Sequence, residues 1–264
     1  MDLRDKKALV TGASSGIGAA VAGELARRGA RVLLLARRRE ELERVASGLG
    51  DRAAAVHPVD LTDPDAVARV ASRITADLGT PDLVVNNAGA GQWKFVDETS
   101  PAEAVQMMAA PYFAAFFVTQ AFLPGMLARG SGHIVNVSST ASRFVWPGAT
   151  AYTAARWAVR GFTEALRADL AGSGIGVTLY EGGAVASGYW DHNPGSRERM
   201  PGIARLIPLM TADDAARALV DGVERGRRLV VAPALMRLIY LQHRLLPGIV
   251  QWLMVRTGYR RLRL

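Results

Sequence analysis

The sequence contains no cysteine, which excludes a disulfide framework, a cysteine-ligated metal site and a thiol nucleophile. The four histidines show no metal-ligand spacing, so no metal site is expected. A signal peptide is not expected either, because no apolar segment of suitable length follows the charged stretch from Met1 to Lys7. A cytoplasmic location agrees with these absences. Disorder is not expected, since 50% of the 264 residues are hydrophobic, enough for a full core.

Basic residues exceed acidic ones by a net charge of +8, most of it from arginine. Such a charge suits nucleic acid, an anionic membrane surface or an anionic ligand. The arginines are spread along the chain, with Arg37-Arg38-Arg39 as the only triplet, and no DNA- or RNA-binding module is visible. Nucleic acid is therefore not predicted as a partner.

Short apolar runs, rich in β-branched residues, alternate with longer helix-like segments. The runs are Ala8–Gly12, Arg31–Ala36, Ala53–Asp60, Leu83–Gly89, His133–Ser139, Val177–Glu181 and Leu229–Ala232. The amphipathic segments include Gly18–Arg28 and Pro64–Leu78, the latter opened by Thr62-Asp63-Pro64 as N-cap and first-turn proline. This alternation predicts an α/β fold, a Rossmann-type doubly wound parallel sheet of about seven strands with helices on both faces. No repeat or linker interrupts the pattern, so residues 1–264 are expected to form a single Rossmann domain.

Between the first run and the first helix, residues 11–18 read Thr-Gly-Ala-Ser-Ser-Gly-Ile-Gly. The first glycine allows a tight turn, the second leaves room for a pyrophosphate, and the third lets the helix pack closely on the strand. The helix N-terminus adds free N–H groups and the positive end of a dipole. The loop therefore predicts a dinucleotide-binding site that contains Gly12, Ser14, Ser15, Gly16, Ile17 and Gly18.

The same loop also matches the nucleophile elbow of hydrolases, because Gly12-Ala13-Ser14-Ser15-Gly16 has the form G-x-S-x-G. That fold requires an oxyanion donor from an earlier strand–helix loop, and no such loop precedes residue 12. The hydrolase interpretation is therefore rejected.

The second strand ends in Leu35-Ala36-Arg37-Arg38, with no acidic residue where an NAD site usually has one. An arginine here can pair with a 2′-phosphate through a charge-assisted fork. A solvated basic helix start is the alternative interpretation, although the helix dipole disfavours arginine at this position. The residues therefore favour NADP(H) as the cofactor, with Arg37 contacting the phosphate.

Four further landmarks follow the glycine loop. They are Asp60-Leu61-Thr62 after the third strand, Asn86-Asn87-Ala88-Gly89 after the fourth, Ser139 at the end of the fifth, and Tyr152 thirteen residues later. Together these motifs closely resemble the short-chain dehydrogenase/reductase family, with similarity running from about residue 5 to residue 190. The resemblance implies that Asp60 contacts the adenine. It also implies that the cofactor cleft is lined by Leu61, Asn86, Ala88 and Gly89.

The family transfers hydride between a nicotinamide and a carbonyl or alcohol carbon. By resemblance, Tyr152 is the general acid or base and Ser139 hydrogen-bonds the substrate oxygen. A family lysine four residues after the tyrosine holds the cofactor ribose and favours the ionised tyrosine. This is needed because a free phenol, with a pKa of about 10, is a poor base at neutral pH. A buried tyrosine bonded to the backbone is the alternative interpretation of Tyr152.

Two positions depart from the family pattern. Arg156 stands where the lysine is expected. It keeps the charge and can bind a ribose hydroxyl, but it cannot donate a proton to a relay. Pro111 stands where the family has an asparagine, whose bound water links the lysine to solvent. A proline would keep the helix kinked and remove that relay. Both changes affect the same proton path, which indicates a changed mechanism.

A third departure follows the sixth strand, where Gly182-Gly183-Ala184-Val185-Ala186-Ser187 replaces the Pro-Gly and threonine pattern of the family. Gly183, Val185 and Ser187 keep that pattern in a weakened form. Cofactor binding is therefore expected to be retained through these residues, together with Tyr152 and Arg156.

Residues 186–210 are expected, again by resemblance, to form a mobile lid over the substrate. They include Tyr189, Trp190, His192 and Met200. The aromatic side chains suggest an apolar or aromatic substrate.

The C-terminal extension, residues 234–264, is rich in apolar residues and arginine. Its most apolar part, Leu245–Val255, is too short to span a bilayer. We expect the extension to close the pocket and to contribute to a homo-dimer or homo-tetramer. Peripheral contact with an anionic membrane stays open as an alternative.

The leading functional prediction is an NADP(H)-dependent oxidoreductase that interconverts a carbonyl and an alcohol on a hydrophobic small molecule. An enzyme of the same fold repurposed for a non-redox step, such as cyclisation, dehydration or isomerisation, is the second hypothesis. A catalytically silent cofactor-binding protein is the third. The fold does not decide among them, because function depends on the site.

Overall fold

The computed structural model describes residues 1–89 and 91–261, and for Asp191 and His192 it describes the backbone alone. The side chain of the predicted lid residue His192 therefore lies outside the described part. Within this range the strands are β1 Lys7–Thr11, β2 Arg31–Ala36, β3 Ala53–Pro58, β4 Leu83–Asn86, β5 Gly132–Ser139, β6 Ile175–Gly182, β7 Val185–Ala186, β8 Met210–Thr211 and β9 Leu229–Ala232.

The helices alternate with these strands for most of the chain and end in two consecutive helices. They are α1 Gly16–Arg27, α2 Arg39–Leu49, α3 Pro64–Leu78, α4 Pro101–Met108, α5 Ala114–Arg129, α6 Thr150–Asp169, α7 Tyr189–His192, α8 Ala212–Glu224, α9 Leu235–Leu245 and α10 Pro247–Arg256. A π-helical turn, Ala109–Phe113, joins α4 to α5.

Seven strands form one parallel sheet in the order β3-β2-β1-β4-β5-β6-β9. The short strands β7 and β8 pair with each other and close the base of the predicted lid. The predicted seven-stranded Rossmann-type sheet is thus confirmed. The strand order reverses between β1 and β4, and open α/β sheets bind ligands at such a point, beyond the carboxyl ends of the strands.

Helices cover both faces of the sheet, which explains the nearly continuous apolar strands. On one face, α1 and α8 bury Val21, Leu25 and Leu219 against the strands. On the other, α3 and α5 bury Ile74 and Phe122. Strands β1, β2 and β4 are enclosed on both sides, whereas the edge strand β3 is partly exposed along its length.

Local signals set the limits of α3 as predicted. The side chain of Asp63 accepts hydrogen bonds from the backbone N–H groups of Asp65 and Ala66, at 2.9 and 3.1 Å. Pro64 occupies the first position of the helix, where a missing N–H costs nothing. The predicted helix Pro64–Leu78 is therefore confirmed at both ends.

Three predicted strands end earlier than their apolar runs. The first ends at Thr11, the third at Pro58 and the fourth at Asn86. Beyond Asn86 the chain turns away because Thr11 Oγ1 accepts the backbone N–H groups of Asn87 and Ala88, at 2.9 and 3.0 Å. These residues therefore face the end of the sheet, where the ligand cleft begins.

The continuous helical stretch Pro101–Arg129 is long and apolar enough, by length and composition, to cross a membrane. Its inner side is nevertheless part of the core, where Val118, Phe122 and Met126 pack under the sheet. We therefore interpret it as the buried helix that this fold requires beside β4 and β5.

Candidate active site

One cleft of about 1010 Å³ opens at the carboxyl ends of the strands, over the switch point between β1 and β4. Most of the predicted site residues line it. These are Gly12, Ser14, Ser15, Gly16, Ile17, Arg37, Asp60, Leu61, Ala88, Gly89, Ser139, Tyr152, Arg156, Gly183, Val185 and Ser187. Gly18 and Asn86 do not reach the cleft wall.

The glycine loop forms a cradle at the start of α1. Gly12 has a φ of +63°, and a Cβ added there would lie 2.9 Å from Ala88 Cα. Gly18 packs behind the loop, since an added Cβ would lie 2.2 Å from Gly12 O. Gly18 therefore brings helix and strand together, as predicted, but it forms no part of the cleft surface.

The prediction that Asn86 lines the cofactor cleft is wrong for its side chain. Asn86 is buried, and its Nδ2 donates to Thr119 Oγ1 at 3.0 Å and to Asn136 Oδ1 at 2.9 Å. Its neighbour Asn87 lines the cleft instead, with Nδ2 donating to Thr11 O at 3.0 Å. The strand alternates its side chains, so the first asparagine points into the core and the second leaves the sheet.

Two arginines extend over the nucleotide end of the cleft. Arg37 was predicted there. Arg38 was not, although it follows in the same basic triplet. Arg38 Nη2 lies 3.2 Å from both Ser14 Oγ and Ser15 Oγ, and thereby joins the start of α2 to the glycine loop.

Asp60 lies across from these arginines. Hydrogen bonds from the backbone and the hydroxyl of Thr62 hold the pKa of Asp60 below its ordinary value, and the charge of Arg37 adds to this effect. The nucleotide end of the cleft therefore holds one ionised carboxylate and two guanidinium groups.

The predicted catalytic residues Ser139 and Tyr152 come from the end of β5 and the start of α6. Ser139 is the last residue of β5, and its Oγ accepts the N–H of Ala141 at 3.2 Å. Tyr152 lies in the first turn of α6 and is 7% exposed. Both side chains line the same cleft, as the thirteen-residue spacing predicted.

Arg156 lies one turn beyond Tyr152 on α6. Its Cζ is 4.9 Å from the centroid of the Tyr152 ring, so the guanidinium stacks on the ring as a cation–π pair. The residue is 8% exposed, and its buried Nε has no hydrogen-bond partner among the described residues. A Cβ added to Gly89 would lie 3.2 Å from Arg156 Nη2, so the glycine gives the guanidinium its space.

Pro111 is buried inside the π-helical turn between α4 and α5. A proline lacks the backbone N–H of a regular helix, and its ring displaces the carbonyl four residues earlier. The wider turn accommodates both effects. The helix is therefore interrupted where the proline predicts, and Ala109 and Ala110 of this turn line the cleft.

The lid is attached to the loop after β4 by three hydrogen bonds. Tyr189 Oη donates to Gly91 O at 2.7 Å and accepts Trp93 Nε1 at 3.2 Å, while Ser196 Oγ accepts the backbone N–H of Trp93 at 3.0 Å. Burial, together with the neighbouring Tyr152, raises the pKa of Tyr189 well above its ordinary range. Tyr189 is therefore a neutral hydrogen-bonding group that attaches the predicted lid to the loop after β4.

Aromatic rings form the apolar half of the cleft. The Trp93 ring centroid lies 4.9 Å from that of Trp146, and 5.6 Å from those of Tyr152 and Trp190. Trp93 and Trp146 were not predicted as site residues, because neither lies in a recognisable motif.

The C-terminal helices complete the apolar half, as the pocket-closing interpretation expects. Their contribution to the cleft wall consists of Met236, Ile239, Gln242, Val250, Leu253 and Met254. Which side of each helix faces inward could not be read from the sequence, since both sides are apolar.

Comparison with known proteins identifies this arrangement. A family model described as short chain dehydrogenase matches residues 6–195. The chain belongs to the short-chain dehydrogenase family. A dehydrogenase/reductase SDR family protein 7-like of Anopheles gambiae is 31% identical over 268 residues, covering 96% of this chain and 83% of the relative. The similarity to this dehydrogenase therefore continues into the C-terminal helices.

Solved structures of short-chain dehydrogenases have the same fold. One from Burkholderia phymatum, in complex with NAD, superposes with a TM-score of 0.82 at 25% identity and covers all of both chains (100% each). Another from Sphingobium yanoikuyae, in complex with NADPH, has a TM-score of 0.77 at 26% identity, covering 93% of this chain and 97% of the other. Neighbours of this chain therefore bind either nicotinamide dinucleotide.

The residues present suit a nicotinamide dinucleotide. Within the described residues, the side chain of the N-cap residue Ser15 does not cap the first turn of α1, whose N–H groups are left for a phosphate. At Gly12 no side chain blocks the approach of a ligand to the loop. Arg156 lines the cleft and its guanidinium can donate to a ribose hydroxyl.

Proposed function

We propose that the protein is an NADP(H)-dependent oxidoreductase that interconverts a carbonyl and an alcohol on a hydrophobic small molecule. The observation that carries this proposal is the position of Tyr152, Ser139 and Arg156. They lie in one cleft, where its polar nucleotide half meets its aromatic half. A substrate oxygen at this boundary would meet two hydroxyl groups beside a fixed positive charge.

The preference for NADP(H) rests on Arg37 and Arg38. Two guanidinium groups at the end of β2 favour a dianionic 2′-phosphate, and Ala36 places no carboxylate there to bind a 2′-hydroxyl. Membership of the family leaves the choice open, because neighbours bind NAD or NADPH. The basic end of this particular cleft is the reason for the proposal.

The bound cofactor supplies or accepts the hydride. The side chains bind the substrate oxygen and transfer its proton. In the reducing direction, Ser139 Oγ hydrogen-bonds the carbonyl oxygen and Tyr152 Oη donates its proton to that oxygen as the alcohol forms. In the oxidising direction the ionised Tyr152 oxygen accepts the proton of the alcohol. Arg156 keeps a positive charge beside the tyrosine throughout.

Arg156 and Pro111 replace the lysine and asparagine that the family resemblance leads us to expect. An arginine does not release a proton in proteins, so no relay can run through position 156. We infer that Tyr152 exchanges its proton through the open cleft. The polar lysine path is replaced here by a guanidinium stacked on the ring.

The hydrophobic substrate class follows from the lining of the cleft. Beyond Tyr152 the walls consist of Trp93, Trp146 and the inner sides of α9 and α10. A largely apolar pocket with a few convergent polar groups selects apolar ligands and orients them through those groups.

The test is an assay that follows NADPH oxidation and product formation separately, with a panel of apolar ketones and aldehydes. The proposal expects one alcohol formed per NADPH oxidised. Product formed without net cofactor oxidation would support the repurposed, non-redox enzyme, in which the guanidinium of Arg156 would orient an intermediate. NADPH binding without turnover on any substrate would support the silent binding protein.

Self-association belongs to the same proposal. Phe113 at the end of the π-helical turn, Phe116 on α5 and Trp157 on α6 are 40%, 40% and 47% exposed. Aromatic residues in contact with water on adjacent helices are typical of an interface core. We expect a homo-dimer or homo-tetramer by light scattering, and a strictly monomeric protein would contradict this expectation.

A further inference from the structure

Helices α9 and α10, with Leu246 between them, form a unit that we call the C-terminal hairpin, residues 235–256. Its inner face packs on Phe144, where Met236 is buried and Ile239, Val250 and Met254 are partly buried. These contacts fix the orientation of both helices against the cleft. The opposite face of the hairpin therefore lies on the outside of the molecule.

That outer face is apolar. Six of its large hydrophobic side chains are between 53% and 69% exposed: Leu238, Leu241, Leu245, Leu246, Ile249 and Trp252. Single exposed apolar residues are ordinary, but a contiguous set on one face marks an interaction surface. The tryptophan adds an amphipathic ring of the type found at the boundary between lipid headgroups and acyl chains.

The net positive charge of the chain comes from its C-terminal segment. The first 224 residues contain 23 lysines and arginines and all 24 acidic residues, which nearly cancel. The last 40 residues contain nine arginines and no acidic residue. The entire basic excess of the protein therefore lies in the segment that contains the hairpin and the residues beside it.

The arginines around the outer face are free to bind anions. Arg237, Arg244, Arg256 and Arg260 form no ion pair with any residue that the structure describes, whereas Arg261 pairs with Asp97 at 2.7 Å. All four are exposed. An apolar strip bordered by unpaired arginines and a tryptophan is the pattern of a helix that lies in a membrane interface.

A second copy of the chain suits this face less well. In a two-fold contact the same patch meets itself, so the unpaired arginines of both copies would approach one another. No acidic side chain from residues 225–264 is present to neutralise them. Like charges placed together weaken a protein interface, whereas an anionic lipid surface neutralises them.

We propose that the C-terminal hairpin docks the protein on an anionic phospholipid bilayer, with its outer apolar face at the level of the headgroups and upper acyl chains. The two helices lie in the interface and do not cross it, since each is shorter than a membrane span. Because their inner face lines the cleft, docking also brings the cleft next to the lipid. This inference concerns binding and does not depend on the proposed redox activity.

Vesicle flotation with the full-length protein tests the proposal. We expect binding to vesicles of phosphatidylglycerol and phosphatidylcholine at low salt, weaker binding at high salt, and little binding to phosphatidylcholine alone. Arg244→Gln should weaken binding roughly fivefold, the worth of one arginine near a charged surface. Absence of binding to the anionic vesicles, or equal binding to both kinds, would overturn the proposal.

Charge insertion into the apolar face provides the sharper comparison. Leu246→Glu should reduce vesicle binding roughly tenfold or more, since it places a charge where the docked protein would bury a leucine in the bilayer interface. Val105→Glu is the matched control, because Val105 is 65% exposed on α4, away from the hairpin, and receives the same charge. An equal loss in both variants would refute a specific role of the hairpin. If Leu246→Glu lowers the oligomer mass and the unmodified protein does not bind vesicles, the outer face of the hairpin binds a second copy of the chain instead.

A direct probe is available because the chain has no cysteine. Leu246→Cys, labelled with an environment-sensitive dye, should show a blue-shifted emission on anionic vesicles, and labelled Val105→Cys should not. An unshifted emission from position 246 on vesicles that do bind the protein would place the contact elsewhere and overturn the proposal.

Discussion

The guanidinium of Arg156 lies over the ring of Tyr152, with Cζ 4.9 Å from the ring centroid. Residues four apart on a helix share one face, so α6 itself holds the two side chains together. Both are more than nine-tenths buried, and both line the cleft. The pair therefore places a permanent positive charge on the ring of Tyr152, which lines the cleft with Ser139.

The packing of Gly18 gives the first prediction. Gly18→Ala should abolish dinucleotide binding and lower the free energy of unfolding by several kcal/mol, because the new Cβ would lie 2.2 Å from Gly12 O. Gly23→Ala in the same helix is the control. It meets nothing within 4 Å, so it should stabilise the protein by about 0.5–1 kcal/mol. Urea unfolding and calorimetry with NADPH measure both effects, and similar behaviour of the two variants would contradict the structure.

The two arginines at the end of β2 should determine cofactor choice. Arg37→Ala and Arg38→Ala should each weaken NADPH binding roughly tenfold to a hundredfold, with little change for NADH, since each removes a charge-assisted contact to the 2′-phosphate. Arg39→Ala is the matched control, because Arg39 is exposed and pairs with Glu43 at 3.3 Å. Isothermal calorimetry gives the affinities. Equal affinity of the unmodified protein for both cofactors would defeat the expectation.

His133 should make stability depend on pH. Burial, with a contribution from the N-terminal ammonium group, lowers the pKa of His133 from 6.5 to about 4. Thr178 Oγ1 donates to Arg227 O at 2.6 Å, so it accepts the proton of His133 Nε2, 2.8 Å away. The folded protein therefore keeps a neutral ring while the unfolded chain binds a proton below pH 6.5.

Stability should consequently fall as the pH drops from 6.5 to 4, by about 3 kcal/mol from this residue alone. His133→Gln keeps a donor for Thr178 but cannot titrate. Relative to the native protein, this variant should gain stability as the medium is acidified. Urea unfolding across this pH range measures the difference, and parallel curves for both proteins would show that His133 does not contribute.

The sheet and the glycine loop could be predicted because their signals are local. Alternating apolar runs specify strands, and the close contact of Gly18 with Gly12 is determined within seven residues of chain. The N-cap Asp63 with Pro64 likewise set the start of α3. Such features depend little on the rest of the fold.

The wrong prediction for Asn86 and the failure to predict Trp93 have a common physical cause. Asn86 and Asn87 are identical in type, and which of them faces the cleft depends on where β4 leaves the sheet. Trp93 joins the site through ring contacts with Trp146, Tyr152 and Trp190 and a hydrogen bond to Tyr189. These positions depend on contacts between distant segments, which residue spacing does not encode.

The last prediction concerns the proton on Tyr152. If it is transferred to the substrate oxygen, Tyr152→Phe should lower turnover by about 10²–10⁴, the usual worth of a positioned general acid, while NADPH still binds. Stopped-flow measurement of NADPH oxidation, with binding followed by calorimetry, separates the two effects. Loss of NADPH binding in this variant would show that the hydroxyl serves the cofactor rather than the reaction.

Arg156→Lys then distinguishes the redox enzyme from a repurposed one. A lysine retains the charge and can take part in a proton relay, so a redox enzyme should tolerate it or become faster, and adding Pro111→Asn should help further if proton exchange limits the rate. Arg160→Lys, one turn farther along α6 and bound to Ser142 O at 3.1 Å, is the control for the same change outside the cleft. If the guanidinium fork orients an intermediate instead, Arg156→Lys should abolish the native reaction while Arg160→Lys leaves it intact, and product should form in the unmodified protein without net oxidation of NADPH.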